Sequence, residues 1–331
     1  MKKINRRQFI FTGSVGASVM ASGFFAGCAS AAKPEQTVSG AKKFKMKFAP
    51  RGLFSASVGK DPFKRLKWLS ENGFWAVEGV VFCKAMGVYS QKEMDLQTAI
   101  GKFTREVGLD MGCISSMNEK DFPTMTANQV PTKDRVIRDK AAVRAVLTQQ
   151  LDTTLGVLQR IGSTRFIVGP GAVDKELTPE KQYENVVDNM IFCADYCKRN
   201  GVVMEIEALN TTSHPGVYCN NNTLAAKIAR DVNSPACRIL YDIFHEQMQT
   251  GNLDSLDDPN VWNMIESFHI ADAPQRMEPG TGTIPYKKVL GKIWDKGYRG
   301  FIGLEHGQSD KSIEGDKKLL QIYRDLDSAA S

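Results

Sequence analysis

Histidine is scarce in this sequence, with four residues among 331, at positions 214, 245, 269 and 306. A centre that holds several zinc ions needs many nitrogen or sulfur ligands. The shortage of imidazoles argues against a multi-zinc site. A metal site in this chain would then depend mainly on carboxylate oxygens.

The sequence also lacks a disulfide framework. Its seven cysteines show none of the short, regular spacings typical of disulfide-rich secreted domains. Cys193 and Cys197 lie four residues apart on a predicted helix, a spacing that favours two thiols facing a core. A bond between Cys219 and Cys237 is left open as an alternative.

Little in the sequence resembles a membrane span. The uncharged run 11–27 is short and rich in Gly, Ser and Ala. It follows Asn5-Arg6-Arg7-Gln8-Phe9-Ile10, a twin-arginine pattern, and it precedes small residues. The combination predicts export by the twin-arginine route, followed by lipidation at Cys28 or by ordinary cleavage near Ala29-Ser30-Ala31.

Lipidation at Cys28 is the favoured outcome, and it divides the chain into three parts. These are a twin-arginine signal of lipoprotein type (1–28), a flexible tether (29–42) and a single catalytic domain (43–331). The predicted location is the periplasm, or the membrane of the bacterial envelope through a lipid anchor. The alternative is a cytoplasmic protein with a frayed N-terminus.

Positive charge is low outside the signal. The formal net charge of +6 falls to +2 without residues 1–27, because that segment carries four basic and no acidic residues. Residues 42–47 form a short basic run at a strand edge, and no extended basic face is predicted. Nucleic acid is therefore excluded as a partner.

The sequence does contain a repeated unit: short runs rich in Val, Ile, Phe and Met, each followed by a loop and an amphipathic segment. Strict alternation of strand and helix predicts a parallel sheet, and eight units favour a closed (β/α)8 TIM barrel over an open doubly wound sheet. Strands are predicted near 44–49, 75–79, 110–115, 164–169, 202–207, 238–242, 266–271 and 300–305. Helices are predicted over 61–72, 91–107, 133–161, 178–200, 223–231, 259–265, 285–296 and 312–328.

The longest predicted loop, 116–132, follows the third strand. In a barrel it would lie over the mouth where the strands end, so it is either a lid or a surface excursion without function.

Four polar residues stand at or near the C-terminal ends of four successive strands: Glu207, Asp242, His269 and Glu305. The C-terminal strand ends of a barrel meet at one mouth, so these side chains are predicted to face each other. Burying several carboxylates together is unfavourable unless a cation lies among them. Three carboxylates and one imidazole suit Mn²⁺, Mg²⁺ or Co²⁺, and Zn²⁺ less well.

Other groups lie close to these strand ends. Arg276 is a candidate for holding a substrate oxygen or carboxylate, and His245 for polarising a carbonyl group; a surface arginine and a packed histidine are the alternatives. Glu78, at the end of the second strand, is a lesser candidate for the mouth. The run 278–282 (EPGTG) is similar to a phosphate-binding glycine loop, but a role in shaping the loop is favoured.

Six segments are informative together: MKFAPRGLF (46–54), GFWAVEG (73–79), EIEALN (205–210), LYDIFHEQMQTGNL (240–253), FHIADAPQRMEPGTGTIPY (268–286) and GYRGFIGLEHG (297–307). They resemble the hydroxypyruvate isomerase family, within the wider xylose isomerase-like barrels that include ketose 3-epimerases. The resemblance extends over nearly all of residues 44–307. In the hydroxypyruvate branch a glutamine is usual where His269 stands, whereas the epimerase branch tends to have histidine.

The resemblance implies a divalent metal held by Glu207, Asp242, His269 and Glu305. It implies that Glu207 and Glu305 are also the catalytic acid/base pair and that His245 and Arg276 bind substrate. The expected partner is a small sugar or keto-sugar, and a homo-oligomer is left open.

The expected activity is that of an isomerase, of the aldose–ketose or hydroxypyruvate type, or of a 3-epimerase. Proton transfer next to a carbonyl group would pass through an enediolate. Two alternatives come from other classes: a sugar-binding lipoprotein without catalysis, and a metal-dependent lyase or hydrolase on the same barrel, such as a phosphodiesterase of the endonuclease IV type.

Overall fold

Parallel strands alternate with helices along the chain in a computed structural model that describes residues 41–81, 88–117, 125–131 and 136–330. The twin-arginine segment, Cys28 and most of the predicted tether lie outside these residues. The strands are β1 Lys47–Pro50, β2 Ala76–Val77, β3 Asp110–Met111, β4 Ile114–Met117, β5 Gln129–Pro131, β6 Val136–Arg138, β7 Arg165–Val168, β8 Val203–Glu207, β9 Cys237–Asp242, β10 Ile265–Ile270 and β11 Phe301–Leu304.

Eight strand positions form the barrel. Seven strands pair in parallel in the order β1-β11-β10-β9-β8-β7-β4, and β2 pairs in parallel with β3. A parallel bridge between Arg51 and Glu78, together with a 3.1 Å hydrogen bond from the Glu78 amide to the Pro50 carbonyl, connects β1 to β2. Since β3 and β4 are two parts of one strand path, the ring closes, and the predicted (β/α)8 TIM barrel is confirmed.

The main core lies between the strands and the helices around them. Successive side chains of a strand point to opposite faces. On β8, Met204 and Ile206 belong to this core, together with Met190 and Ile228 of the neighbouring helices. Glu205 and Glu207 therefore point the other way, into the barrel, with Glu207 nearest the C-terminal mouth.

Most of the helices begin where the sequence provides a side-chain cap. Ser90 and Glu93 form a capping box, and Thr178 accepts a hydrogen bond from the Lys181 amide. The helices are α1 Ser55–Val58, α2 Pro62–Glu71, α3 Gln91–Glu106, α4 Lys140–Ile161, α5 Pro179–Arg199, α6 Asn222–Val232, α7 Ile243–Thr250, α8 Pro259–Trp262, α9 Tyr286–Asp295 and α10 Ile313–Asp327, with a short 3-10 helix at Asp254–Asp257.

One predicted helix starts too early, and some observed elements were not predicted. The helix predicted over 133–161 begins at Lys140, because Asp139 caps it and β6 pairs antiparallel with β5 just before it. The helix α7 was not predicted at all. Part of the predicted loop 116–132 is the strand β5, which pairs with β6. Residues 118–124 of that loop lie outside the described residues.

The cysteines that the structure describes are free and buried: Cys113, Cys193, Cys197, Cys219 and Cys237. The alternative of a bond between Cys219 and Cys237 was therefore wrong. Within the described part of the chain, no helix combines the length and the apolar character needed to cross a membrane.

Candidate metal centre

The four polar residues at the strand ends come together at the mouth of the barrel. Glu207 ends β8 and Asp242 ends β9, while His269 pairs in register with Asp242 and Gly303 of the neighbouring strands. Glu305 follows β11 directly. One ligand atom from each of the four residues lies within 4.8 Å of those of the others, which is the convergence that the strand-end pattern predicts.

His269 is fully buried and lies among three carboxylates. Its Nε2 is 3.0 Å from Glu78 Oε2, and its Nδ1 is 2.7 Å from Glu305 Oε2 and 4.0 Å from Glu207 Oε1. Although Nδ1 lies close to Glu305, it makes no well-directed hydrogen bond. Burial disfavours protonation, but Glu305 and Glu78 outweigh burial and raise the pKa of His269.

These residues fit a divalent cation. A buried imidazole nitrogen without a well-directed hydrogen bond faces three carboxylates, and this donor set matches the preferences of Mn²⁺, Mg²⁺ and Co²⁺. The ligands would be Glu207, Asp242, His269 and Glu305. The charge of a cation would also offset the repulsion among the carboxylates.

Two arginines pair with the carboxylates at the mouth. Arg276 Nη2 lies 3.0 Å from Asp242 Oδ2 and 3.1 Å from Glu305 Oε2. On the other side, Arg51 Nη1 lies 3.0 Å from Glu305 Oε1, and Arg51 Nη2 donates to Ser115 Oγ at 2.9 Å. Arg276 was predicted at the site, but Arg51 was missed. The available signal was its position directly after the first strand.

Asp242 has two structural roles. Its Oδ1 accepts hydrogen bonds from the amides of Phe244 (2.8 Å) and His245 (3.1 Å) and so caps α7. Its Oδ2 faces the centre and accepts from Arg276. The cap fixes the carboxylate, so one oxygen stays directed at the mouth.

His245 is held in one tautomer. Its Nδ1 accepts a hydrogen bond from the backbone amide of Asn210 at 3.1 Å and lies 2.7 Å from Asn210 Nδ2. The side-chain amide of Asn210 is oriented by the backbone amide of Ser213, which donates to Asn210 Oδ1 at 2.8 Å. Burial lowers the pKa of His245 to about 4. The neutral ring therefore carries its proton on Nε2.

The protonated Nε2 of His245 meets another donor, because Arg276 Nη1 lies 2.6 Å away. An arginine nitrogen and a protonated ring nitrogen cannot satisfy each other. An acceptor oxygen within reach of both nitrogens would satisfy both. This arrangement suits a substrate carbonyl or hydroxyl group.

The two glutamates of the proposed acid/base pair have pKa values shifted in opposite directions. Burial and the nearby charge of Glu305 raise the pKa of Glu207 to about 8. Burial opposes ionisation of Glu305 too, but His269, Arg51 and Arg276 outweigh it, and the pKa of Glu305 lies well below its usual range. Opposite shifts at neighbouring carboxylates are typical of an acid/base pair.

The glycine-rich run 278–282 surrounds a carboxylate of this chain. Asp272 Oδ2 accepts hydrogen bonds from the amides of Gly280 (2.8 Å) and Gly282 (2.9 Å), and Asp272 Oδ1 from those of Ala273 and Ile284. The amides that a phosphate would need are thus already used. This supports the favoured role in shaping the loop.

Comparisons with known proteins agree with this architecture. A family model described as xylose isomerase-like TIM barrel matches residues 66–325. The hydroxypyruvate isomerase of Escherichia coli (strain K12) is 30% identical over 165 residues, which is 50% of this chain and 63% of the relative. The 2-oxo-tetronate isomerase of Pectobacterium atrosepticum is 26% identical over 167 residues, with the same two shares.

The alignments therefore span less than two thirds of the length of either relative. Among solved structures, that of an AP endonuclease of family 2 from Brucella melitensis has a TM-score of 0.64 at 19% identity, over 82% of this chain and 96% of the other. At that identity the likeness supports the fold alone. The family model, in contrast, covers most of this chain, and the chain belongs to the xylose isomerase-like TIM barrel family.

Proposed function

We propose that this protein is a divalent-metal-dependent isomerase or epimerase that acts on a sugar or another small hydroxycarbonyl compound. One observation carries the proposal: three carboxylates and His269 converge at the barrel mouth, next to the donors of His245 and Arg276. The two relatives support the reaction class, because both are named as isomerases.

The proposed chemistry is a proton transfer next to a carbonyl group. A bound divalent cation would polarise the carbonyl and hydroxyl oxygens of the substrate and so acidify the neighbouring C–H group. One of the two glutamates, Glu207 or Glu305, would remove the proton, and one would return it. Return to the adjacent carbon gives isomerisation, and return to the same carbon from the opposite face gives epimerisation.

Substrate would be oriented by His245 and Arg276. The Nε2 proton of His245 and the guanidinium of Arg276 offer donors within 2.6 Å of each other. They would share one substrate oxygen. Asn210, behind the imidazole ring, holds that ring in position. Neutral His245 serves as a donor here, because its low pKa keeps it from acting as a cation near neutral pH.

Deuterium incorporation tests the proposal directly. Residues 32–331 would be loaded with Mg²⁺ or Mn²⁺ in D₂O and incubated with ketoses, aldoses, keto-sugars and hydroxypyruvate, and the substrates would be examined by NMR after removal of the metal. We expect exchange at a carbon beside the carbonyl group, and a loss of about 10²–10⁴-fold in rate with Glu305→Gln. Glu314→Gln, the same change on the exposed face of α10, is the matched control.

Full exchange after exhaustive chelation would contradict the metal-dependent mechanism. Metal binding without exchange on any of these compounds would favour the sugar-binding or hydrolytic alternatives.

The proposal includes export by the twin-arginine route and a lipid anchor on Cys28. It is supported by the Arg6-Arg7 pair, the uncharged run that follows and the small residues around Cys28. Replacement of Arg6 and Arg7 by lysine should leave the full chain in the cytoplasm, and Cys28→Ser should release it from the membrane fraction. An unchanged distribution between these fractions would contradict the export proposal but would leave the proposed reaction unaffected.

A further inference from the structure

Glu78 is a buried carboxylate beside the candidate metal centre that does not belong to the four ligands. It follows β2 directly and is 1% exposed. Its Oε2 lies 3.0 Å from His269 Nε2. Because β1 and β11 separate β2 from β10 around the ring, this contact crosses the barrel interior.

The carboxylate of Glu78 is fixed by its surroundings. Its Oε1 accepts a hydrogen bond from the Cys113 amide at 3.2 Å. Its own backbone amide donates to the Pro50 carbonyl at 3.1 Å. Partners on β1 and between β3 and β4 thus determine where the carboxylate points, independently of His269.

Two glycines make room for the pair of Glu78 and His269. A Cβ atom at Gly303 would lie 2.6 Å from Glu78 Oε2 and would overlap the ring of His269. A Cβ atom at Gly112 would lie 2.6 Å from Glu78 Oε1. A side chain at Gly303 would collide with both members of the pair, and one at Gly112 would collide with the carboxylate of Glu78, so the barrel is shaped around this contact.

The contact determines which ring nitrogen of His269 is free. A carboxylate is an acceptor, so the proton between Glu78 and His269 resides on Nε2. The lone pair of the neutral ring is then on Nδ1, which faces Glu207 and Glu305 at 4.0 and 2.7 Å. A carboxylate behind a ligating histidine fixes its tautomer and ring orientation and increases its basicity as a ligand.

We propose that Glu78 is a positioning residue that holds His269 with Nε2 protonated and Nδ1 directed at the three carboxylates, and so sets the affinity of the centre for a divalent cation. This inference rests on the metal dependence in the proposed function. It assigns to Glu78 no contact with substrate and no proton transfer. It also explains why a second carboxylate is buried against His269 behind the ligand set.

The variant Glu78→Gln tests the role of the carboxylate at nearly constant volume. The side-chain oxygen of the glutamine can accept a hydrogen bond from His269 Nε2. Its NH₂ group then faces the backbone N–H of Cys113, so two donors meet. We expect the dissociation constant for Mn²⁺, measured by titration calorimetry on metal-stripped protein, to increase about 10–100-fold. The EPR spectrum of bound Mn²⁺ should also change, because the imidazole ligand loses the negatively charged partner that fixes it and increases its basicity.

A matched control is Glu246→Gln. Glu246 is also buried, at 3% exposure, and its carboxylate accepts hydrogen bonds from Asn222 and Ser255. Its replacement should lower the melting temperature but leave the affinity for Mn²⁺ unchanged. This separates a general loss of stability from a specific effect on the metal.

The tautomer provides a test that needs no variant. With only four histidines in the chain, ¹⁵N-histidine NMR of the Mg²⁺-loaded protein can assign each ring. We expect His269 to carry its proton on Nε2, and a proton on Nδ1 would overturn the proposal. Unchanged affinity for Mn²⁺ in Glu78→Gln would overturn it as well, while wild-type protein that binds no Mn²⁺ would overturn the proposed function together with it.

Discussion

At the residue scale, the centre is built from charges that balance one another. Glu305 contacts His269 and both arginines, whereas Glu207 lies farther from these cations and keeps a raised pKa. Two carboxylates of the same type thus differ in ionisation because their neighbours differ. Residue types alone could not predict this difference, since it depends on which strand ends face each arginine.

Arg276 occupies the position of a cation between Asp242 and Glu305. A divalent ion that uses these carboxylates must compete with the guanidinium. We therefore expect Arg276→Gln to bind Mn²⁺ several-fold more tightly in the absence of substrate, although it should turn over substrate more slowly. Titration calorimetry on metal-stripped protein measures the affinity.

The control for this prediction is Arg238→Gln, which removes the same charge from the start of β9, away from the C-terminal strand ends. Its affinity for Mn²⁺ should match that of the wild type. Weaker binding of Mn²⁺ by Arg276→Gln would show that the arginine supports the ligand set instead of competing for it.

At the element scale, the repeated pattern predicted the barrel strands and all but one of the helix starts, but not the elements outside that repeat. Apolar runs recur at each strand, and each predicted strand overlaps an observed one. The helix α7 was missed because Asp242 ends a strand and caps a helix at once, which leaves no loop between them. The early start predicted for α4 came from an amphipathic pattern that includes the residues of β6.

Asp139 provides a test of where α4 begins. Its side chain accepts a 2.7 Å hydrogen bond from the Ala142 amide, so Asp139→Ala should lower the free energy of unfolding by about 1 kcal/mol. Chemical denaturation would measure this loss. If the helix began near residue 133, as the sequence pattern predicts, position 139 would be internal and alanine would be neutral or stabilising.

The matched control is Asp195→Ala. Asp195 is exposed in the interior of α5, where no capping role is available. Its replacement should change the free energy of unfolding by less than about 0.5 kcal/mol.

At the scale of the whole molecule, closure of the barrel creates contacts that no local pattern contains. The repeated strand ends predicted the convergence of Glu207, Asp242, His269 and Glu305, because a barrel brings equivalent ends together. Contacts across the interior, such as that of Glu78 with His269, depend on the register and on glycines on other strands. For that reason Glu78 stood out only weakly in the sequence and Arg51 not at all.

Glu205 shows what lies beneath the mouth. It is fully buried in the interior, where Cys113 Sγ lies 3.2 Å from Oε1, Ser267 Oγ donates to Oε2, and Arg165 Nε lies 3.4 Å from Oε1. Burial raises the pKa of Glu205 to about 7, against the opposing effects of Ser267, Arg165 and Cys113. In the sequence, Glu205 and Glu207 are both inward-facing positions of β8. They differ only in their depth in the barrel.

The raised pKa of Glu205 predicts how the stability of the metal-stripped protein depends on pH. Between about pH 4.5 and 7 the folded state retains a proton that the unfolded state has lost, so the contribution of Glu205 to stability is complete below pH 4.5 and is lost as pH rises to 7. The side chain in Glu205→Gln does not ionise, so the variant lacks this loss of stability. Its free energy of unfolding relative to wild type should therefore rise over this interval, by up to about 3 kcal/mol.

Urea denaturation of both proteins at several pH values measures this difference, and the exposed Glu184→Gln serves as the control. A difference between Glu205→Gln and wild type that stays constant from pH 4.5 to 7 would mean that Glu205 is already ionised at low pH in the fold. Arg165 would then stabilise the carboxylate more strongly than burial destabilises it. A rising difference would instead mean that the barrel interior below the candidate metal centre holds a neutral carboxyl group at mildly acidic pH.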